Sequence, residues 1–268
     1  MNIQNKLVVV RGGGDLATGV VYRLIRSGFP VIILEIPQPT VIRRTVSFAE
    51  AIYQGTVKVE ELTASRVNNT KEALLCLNKG IIPILVDSTG ESLHNLKPHI
   101  VVDAILAKKN LGTKIDMAPI VIGLGPGFHA GVAVHGVIET NRGHNLGRVL
   151  LEGFAEPDTG VPGVIGGFDY QRILRAPTDG IIRNVKEICS KVNVGDVIAY
   201  VEDIPVISSL DGVLRGLITD GLTVYKNLKI GDVDPRCKIE YCYTISDKAR
   251  AIGGGVLEAI LYFLRKEG

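Results

Sequence analysis

Val8-Val9-Val10-Arg11-Gly12-Gly13-Gly14-Asp15-Leu16-Ala17-Thr18-Gly19, followed by Val31-Ile32-Ile33-Leu34-Glu35, decides the fold of the first part of the chain. The apolar run Leu7 to Val10 predicts a buried strand. Leu16, Val20, Val21, Leu24 and Ile25 then recur at helical spacing, and Gly28 follows as a helix stop. The second apolar run predicts a strand buried on both faces, as parallel strands under helices are. Gly12 to Ala17 fits G-x-G-x-x-[GA] between strand and helix, the context that pattern requires. The first glycine permits the tight turn, the second lets a pyrophosphate approach the backbone, and Ala17 lets the helix pack closely. The helix N-terminus offers free N–H groups and partial positive charge to an anion. Glu35, at the end of the second strand, stands where a ribose hydroxyl is held in such units. The alternative is that the turn serves packing alone. Asp15, inside the loop, would either repel a phosphate or help hold a metal ion beside it.

Working outward, three more apolar runs (Ile81 to Val86, Ile100 to Val102, Ile120 to Ile122) alternate with helical patterns at Thr45–Tyr53 and Thr70–Asn78. This rhythm reads as an open parallel α/β sheet of Rossmann-like type. Its ligand crevice is expected at the carboxyl ends of the strands. Asp87, Asp103 and Asp116 are read as lying at that edge, with the second glycine turn Gly123-Leu124-Gly125-Pro126-Gly127. Lys108, after the fourth run, would complement an anion, and Arg43-Arg44 would accept a 2′-phosphate or another anionic group. For each of these charges, a solvated loop position is the alternative reading.

After Gly123 glycines multiply, and Pro157, Pro162 and Gly166-Gly167 mark a junction. A weak repeat follows. Ala176-Pro177-Thr178-Asp179-Gly180-Ile181-Ile182-Arg183 returns as Ser208-Ser209-Leu210-Asp211-Gly212-Val213-Leu214-Arg215, 32 residues on. Val194-Gly195-Asp196 and Ile230-Gly231-Asp232 are taken as its second half, and the Asp-Gly pairs as hairpin turns. Two such copies building one small β-barrel resemble a biotinyl/lipoyl-type hammerhead domain. The midpoint, Val201-Glu202-Asp203-Ile204-Pro205, has no lysine, so a swinging-arm carrier is not expected. The last segment, Asp247 to Lys266, is helical in spacing but holds Gly253-Gly254-Gly255. Three glycines cost a helix roughly 3 kcal/mol against alanine, so either the helix starts after them or something approaches its backbone. The expected division is 1–165 (Rossmann-like), 166–246 (barrel) and 247–268 (a helix packing on the first domain).

Bulk composition narrows the function. The chain has 268 residues, 46% apolar and 22% charged, with a net charge of +2. That balance argues against a dedicated nucleic-acid binder. No apolar stretch reaches the length of a membrane span. The four residues before Arg11 are too short a run for a signal peptide, so a cytoplasmic, reduced protein is expected. Cys76, Cys189, Cys237 and Cys242 form no CxxC and read as small apolar residues. His129, His135 and His144 show no HExxH or cysteine pattern, so no metal site is expected. Nor is there a GxSxG elbow or a Walker A sequence, and catalytic residues are not identifiable.

Several blocks are similar to the YqeB family: Val10 to Gly19, Ile42 to Ala51, Val102 to Asn110, Gly123 to Phe128, Ile138 to Arg148 and Gly231 to Arg236. That family is associated with selenium-dependent molybdenum hydroxylase systems, and its glycine-rich domain resembles XdhC-type chaperones. The resemblance implies an accessory or maturation factor for a molybdenum hydroxylase. Such a factor would bind a nucleotide- or phosphate-bearing cofactor of molybdopterin type among Gly12, Gly13, Gly14, Asp15, Glu35, Arg43, Asp103, Lys108, Gly123, Gly125 and Gly127. An NAD(P)-dependent oxidoreductase and a ligand-free scaffold for a molybdoenzyme are the two other readings.

Overall fold

The computed structural model describes residues 3–161 and 163–267; Pro162 of the predicted junction lies outside them. The chain forms two compact units. One comprises Met1–Pro39, Ser47–Asp158 and Ile245–Gly268, the other Thr40–Val46 and Thr159–Thr244.

In the first unit the chain runs through β1 (Val8–Arg11), α1 (Asp15–Arg26), β2 (Val31–Glu35) and the single turn α2 (Ala51–Gln54). The hairpin β3 (Thr56–Val59) and β4 (Leu62–Val67) follows, then α3 (Thr70–Asn78), β5 (Ile82–Val86), α4 (Leu93–Leu96) and β6 (Ile100–Asp103). β7 (Ile120–Leu124), β8 (Gly136–Ile138) and β9 (Val149–Leu150) complete the sheet. Its order is β3-β4-β5-β2-β1-β6-β7-β8-β9. All pairings are parallel except β3 with β4 and β8 with β9. The molecule is thus a mixed α/β protein with a large, mostly parallel sheet. The five apolar runs are its five middle strands, and Val8, Val9 and Val10 are fully buried. Each such side chain contributes roughly 1.5–3 kcal/mol by leaving water. Strand order reverses at β1, which has β2 on one side and β6 on the other.

The expected helix Thr45–Tyr53 does not form as one element. It breaks into short turns at Arg44–Val46, Phe48–Glu50 and Ala51–Gln54. Its donors are used elsewhere: Ala49 N–H donates to Gly13 O (2.8 Å) and Phe48 N–H to Thr18 Oγ1 (3.0 Å). Residues 40–46, assigned from sequence to the first domain, belong to the second unit, where Leu217 N–H donates to Ile42 O (2.9 Å). The C-terminal helix α5 (Asp247–Lys266) runs unbroken through its three glycines. Ser246 caps it through Ala249 N–H (3.2 Å). A Cβ on Gly253 would lie 2.5 Å from Gly19 O of α1, and one on Gly19 2.5 Å from Ala249 O. The glycines are therefore the contact through which α5 lies on α1.

The second unit carries two antiparallel sheets. Its strands are β10 (Ile173–Arg175), β11 (Gly180–Asn184), β12 (Lys191–Val192), β13 (Val197–Val201), β14 (Ile204–Ile207), β15 (Gly212–Leu217), β16 (Thr223–Val224) and β17 (Lys229–Asp234). The sheet orders are β10-β17-β15-β12 and β14-β13-β11-β16. The repeat is structural, since β11, β12 and β13 begin 32 residues before β15, β16 and β17. The Asp-Gly pairs are not hairpin tips, however. Gly180 and Gly212 open strands, and each aspartate caps a turn of the other copy: Asp179 Oδ1 accepts from Lys226 N–H (2.7 Å), Asp211 Oδ1 from Val194 N–H (2.8 Å). Nor does Ile230-Gly231-Asp232 match Val194-Gly195-Asp196, because it lies inside β17. The counterpart of Gly195 (φ +90°) is Asn227 (φ +69°), a residue type that tolerates the left-handed turn.

Candidate functional site

Because β1, β2, β5, β6 and β7 are parallel, their carboxyl ends share one edge of the first unit. Gly12 ends β1 at φ +92°, a conformation that favours glycine, and a Cβ there would meet Ala104 O at 2.9 Å. Gly13 N–H donates to Glu35 Oε2 (2.7 Å), and Ile36 N–H to Glu35 Oε1 (2.8 Å). The carboxylate predicted for a ribose hydroxyl thus sits on the glycine turn itself. A Cβ on Gly13 would be 3.0 Å from Ala49 N. Gly14 differs from both. At φ −67°, ψ −176° its backbone suits any residue, and as N-cap of α1 it supplies no side-chain hydrogen bond. Asp15, half-buried, puts a carboxylate in the first turn, where the helix dipole favours it.

Burial pushes the Glu35 carboxyl above its ordinary 4.5, against the two N–H groups that hold it down. A raised folded value means that the folded state holds the proton more tightly than the unfolded chain. Its stabilising share is therefore present at low pH and lost as pH rises from about 4.5 through the folded value. In urea titrations across that range, the parent should lose stability relative to Glu35→Gln as pH increases. A flat difference would mean that Glu35 is not desolvated.

Beside the turn lies a polar cluster that the sequence reading missed. Arg11, the last residue of β1, is paired in register with Asp103, the last of β6. Both are almost wholly buried. Thr113 joins them: its hydroxyl donates to Asp103 Oδ2 (2.5 Å) and accepts from Arg11 Nη1, and Arg11 Nη1 stands 3.6 Å from Asp103 Oδ2. Asp103 Oδ1 also accepts from Ile105 N–H (3.1 Å). Asp103 is at the predicted edge, but its oxygens are taken by these donors. Asp87 is likewise engaged. Burial opposes its ionisation, yet the N–H groups of Ser92, Gly90 and Glu91 hold its carboxyl below the usual range. Asp116 precedes β7 instead of following a strand. It lies at the amino edge, lining a cavity of about 630 Å³ with His94, Lys97 and His99.

For the second glycine turn the fold itself supplies the reason for glycine. A Cβ would meet Phe128 at 2.5 Å from Gly123, Thr140 Oγ1 at 2.5 Å from Gly125, and Lys109 Cα at 2.7 Å from Gly127. Lys108 is exposed and ion-paired with Asp158 (2.6 Å). Arg43 is in the second unit, where its Nη2 donates to Tyr241 O (2.8 Å) and Thr244 O (3.1 Å). The structure thus brings Gly12, Gly13, Gly14, Asp15 and Glu35 together, with Asp103 adjacent through Ala104. Arg43 belongs to the other unit, and Lys108 pairs with Asp158.

The histidines are separate. His135 Nδ1 accepts from Val121 N–H (3.0 Å), His129 stacks on Phe154 (4.4 Å), and His144 is exposed. Among the described residues no group of three or more His, Cys, Asp or Glu side chains is placed to hold a metal ion. No helix of the described residues is long and apolar enough to cross a membrane.

No family model matches the chain. Among solved structures it is similar to an aspartoacylase family protein of Mesorhizobium loti (10% identity, 85% of this chain, 84% of that one, TM-score 0.27). It is also similar to the Escherichia coli tRNA N6-threonylcarbamoyladenosine dehydratase TcdA in complex with AMP (12%, 98% and 89%, TM-score 0.31). Likenesses at that level carry no argument about fold or activity. The curated protein described as "Uncharacterized protein YqeB" of Escherichia coli (strain K12) is 50% identical over 262 residues, 98% of this chain and 48% of that protein. The chain spans about half the length of the curated relative it matches. The likeness to YqeB proteins therefore extends over nearly the whole of this chain and about half of that relative.

Proposed function

We propose that the first unit is a Rossmann-like domain that binds a nucleotide-bearing or phosphorylated cofactor at the glycine turn, and that the chain is an accessory factor in maturation of a molybdenum hydroxylase. The observation that carries the binding part is the Gly13 N–H to Glu35 contact at the point where strand order reverses. There an acid, a glycine turn and an uncapped helix N-terminus meet at one strand edge. A molybdopterin-type ligand suits this chemistry: its phosphate would take the first turn of α1 at Gly14, and a ribose or pterin donor would take Glu35. The molybdenum hydroxylase as partner comes from the YqeB resemblance. The second unit, with its two sheets and 32-residue repeat, is a hammerhead-like barrel in this proposal. Its Glu202-Asp203 hairpin tip has no lysine, so it is assigned no carrier role. NAD(H) binding is the second reading, favoured by the same Glu35.

Thermal-shift measurements against cytidine nucleotides, NAD(H), NADP(H) and a molybdopterin-containing extract test this. A ligand at a hundred times its dissociation constant adds about 2.7 kcal/mol of stability. Gly14→Val should fold, since its backbone suits valine, and should lose the shift. Stabilisation by NAD(H) alone would favour the oxidoreductase. No shift with any ligand would make the turn a packing device and the chain a scaffold.

A further inference from the structure

The amino edge of the first unit's sheet, opposite the glycine turn, holds a cavity that the proposed cofactor site does not use. Its volume is about 630 Å³, within the roughly 300–1,000 Å³ of small-molecule sites. One wall is α4 with the residues leading into β6, which bring Leu93, His94, Lys97 and His99. The other is the turn Ile115–Met117 leading into β7, which brings Asp116 and Met117. The walls adjoin because β6 and β7 pair in parallel, with Ile120 N–H donating to His99 O (3.2 Å). The basic groups thus stand on one wall and the acid on the other, and Leu93 and Met117 add apolar surface.

Among the described residues the side chains of His94, Lys97 and Asp116 make no hydrogen bond or ion pair. Lys97 follows α4 in the left-handed region (φ +43°), although the proline after it favours extended backbone. Strain of that kind collects at ligand sites. His99 is engaged through one ring nitrogen only: its Nε2 lies 2.9 Å from Lys6 Nζ and 2.7 Å from Glu267 Oε2. If Nε2 accepts from the lysine, the ring proton is on Nδ1. If a cationic ring donates Nε2–H to Glu267, Nδ1 carries a proton as well. Either way Nδ1–H is a donor.

We propose that this cavity binds an α-amino acid with an apolar side chain. Its carboxylate takes Lys97 and His99, its ammonium takes Asp116, and its side chain lies on Leu93 and Met117. The opposed charges select this class. A simple anion would be repelled by Asp116 and a simple cation by Lys97, whereas a zwitterion satisfies both walls.

The test is proton–nitrogen NMR of the histidine rings of the full chain, titrated with L-phenylalanine, phenylpropionate and phenethylamine. These share one apolar body and differ in their charged groups. The expected result is saturable shifts at His94 and His99, with the highest affinity for phenylalanine, less for phenylpropionate and none for phenethylamine. Lys97→Gln should weaken phenylalanine by about twofold to fivefold, the usual worth of one exposed ion pair. Asp116→Asn should bring phenylalanine down to the affinity of phenylpropionate. Both side chains are exposed, so neither variant threatens the fold. The proposal is overturned by shifts confined to His129, His135 or His144, or by no saturation with phenylalanine. Affinity for phenylalanine no higher than for the other two compounds, or unchanged in either variant, overturns it equally.

Discussion

Replacing Arg11 with methionine should cost about 3–5 kcal/mol of folding stability, the usual loss when one partner of a buried ion pair is removed. Arg11 and Asp103 are each almost wholly buried, and Thr113 bridges them. Methionine fills much of the same volume, so the loss is not mainly a cavity. It is the Asp103 carboxylate left in an apolar interior with one hydroxyl and one N–H donor. The pair itself need not be a large net contributor, because both charges gave up water to enter the sheet. The double variant Arg11→Met, Asp103→Leu should therefore recover much of the loss. Urea midpoints of the two single variants and the double one check this. A single-variant cost below about 1 kcal/mol would mean that water reaches the cluster and that the strand ends are open there.

This cluster also shows where sequence reading stops. Arg11 carries one signal, a charge closing an apolar strand, but its partners lie about a hundred residues away and nothing local joins them. Asp103 was legible as a strand-end acid; that its oxygens are consumed by Thr113, Ile105 and Arg11 was not. The glycine turn, α1 and Glu35 were legible because one continuous segment encodes them. Thr45–Tyr53 was misread because its N–H groups bond to Gly13 and Thr18, partners that helical spacing cannot reveal. The β3–β4 hairpin was missed for a different reason. Its turn is Glu60-Glu61, with Glu60 at φ +51°, and no glycine, asparagine or aspartate marks it. Glu60 is held there by distant groups: its carboxylate accepts from Ile245 N–H (3.0 Å) and Arg250 Nη2 (2.9 Å). The 32-residue repeat was visible because strand starts repeat in register. The roles of its aspartates were not, since each acts on the opposite copy.

The glycine triplet of α5 should respond to alanine with opposite signs at adjacent positions. At Gly254 nothing beyond the helix's own neighbouring backbone lies within 4 Å of the added methyl, and the residue is inside a helix, so Gly254→Ala should stabilise by about 0.5–1 kcal/mol. At Gly253 the methyl would fall 2.5 Å from Gly19 O, and at Gly255 it would overlap Gly147 O, both backbone atoms. Rotamer changes cannot relieve either clash; α5 must move off α1 or off the Gly147 turn. Each substitution gains the same helix propensity yet should lose about 1–3 kcal/mol or more to overpacking. A general penalty for glycine in helices predicts three gains, and a sequence reading that starts the helix after the triplet predicts almost no effect. Only a helix that runs through the glycines with backbone against both sides predicts one gain between two losses. Thermal midpoints of the three single variants separate these cases. The outcome bears on the glycine turn as well, since α1, which begins there, is held by this same contact at Gly19.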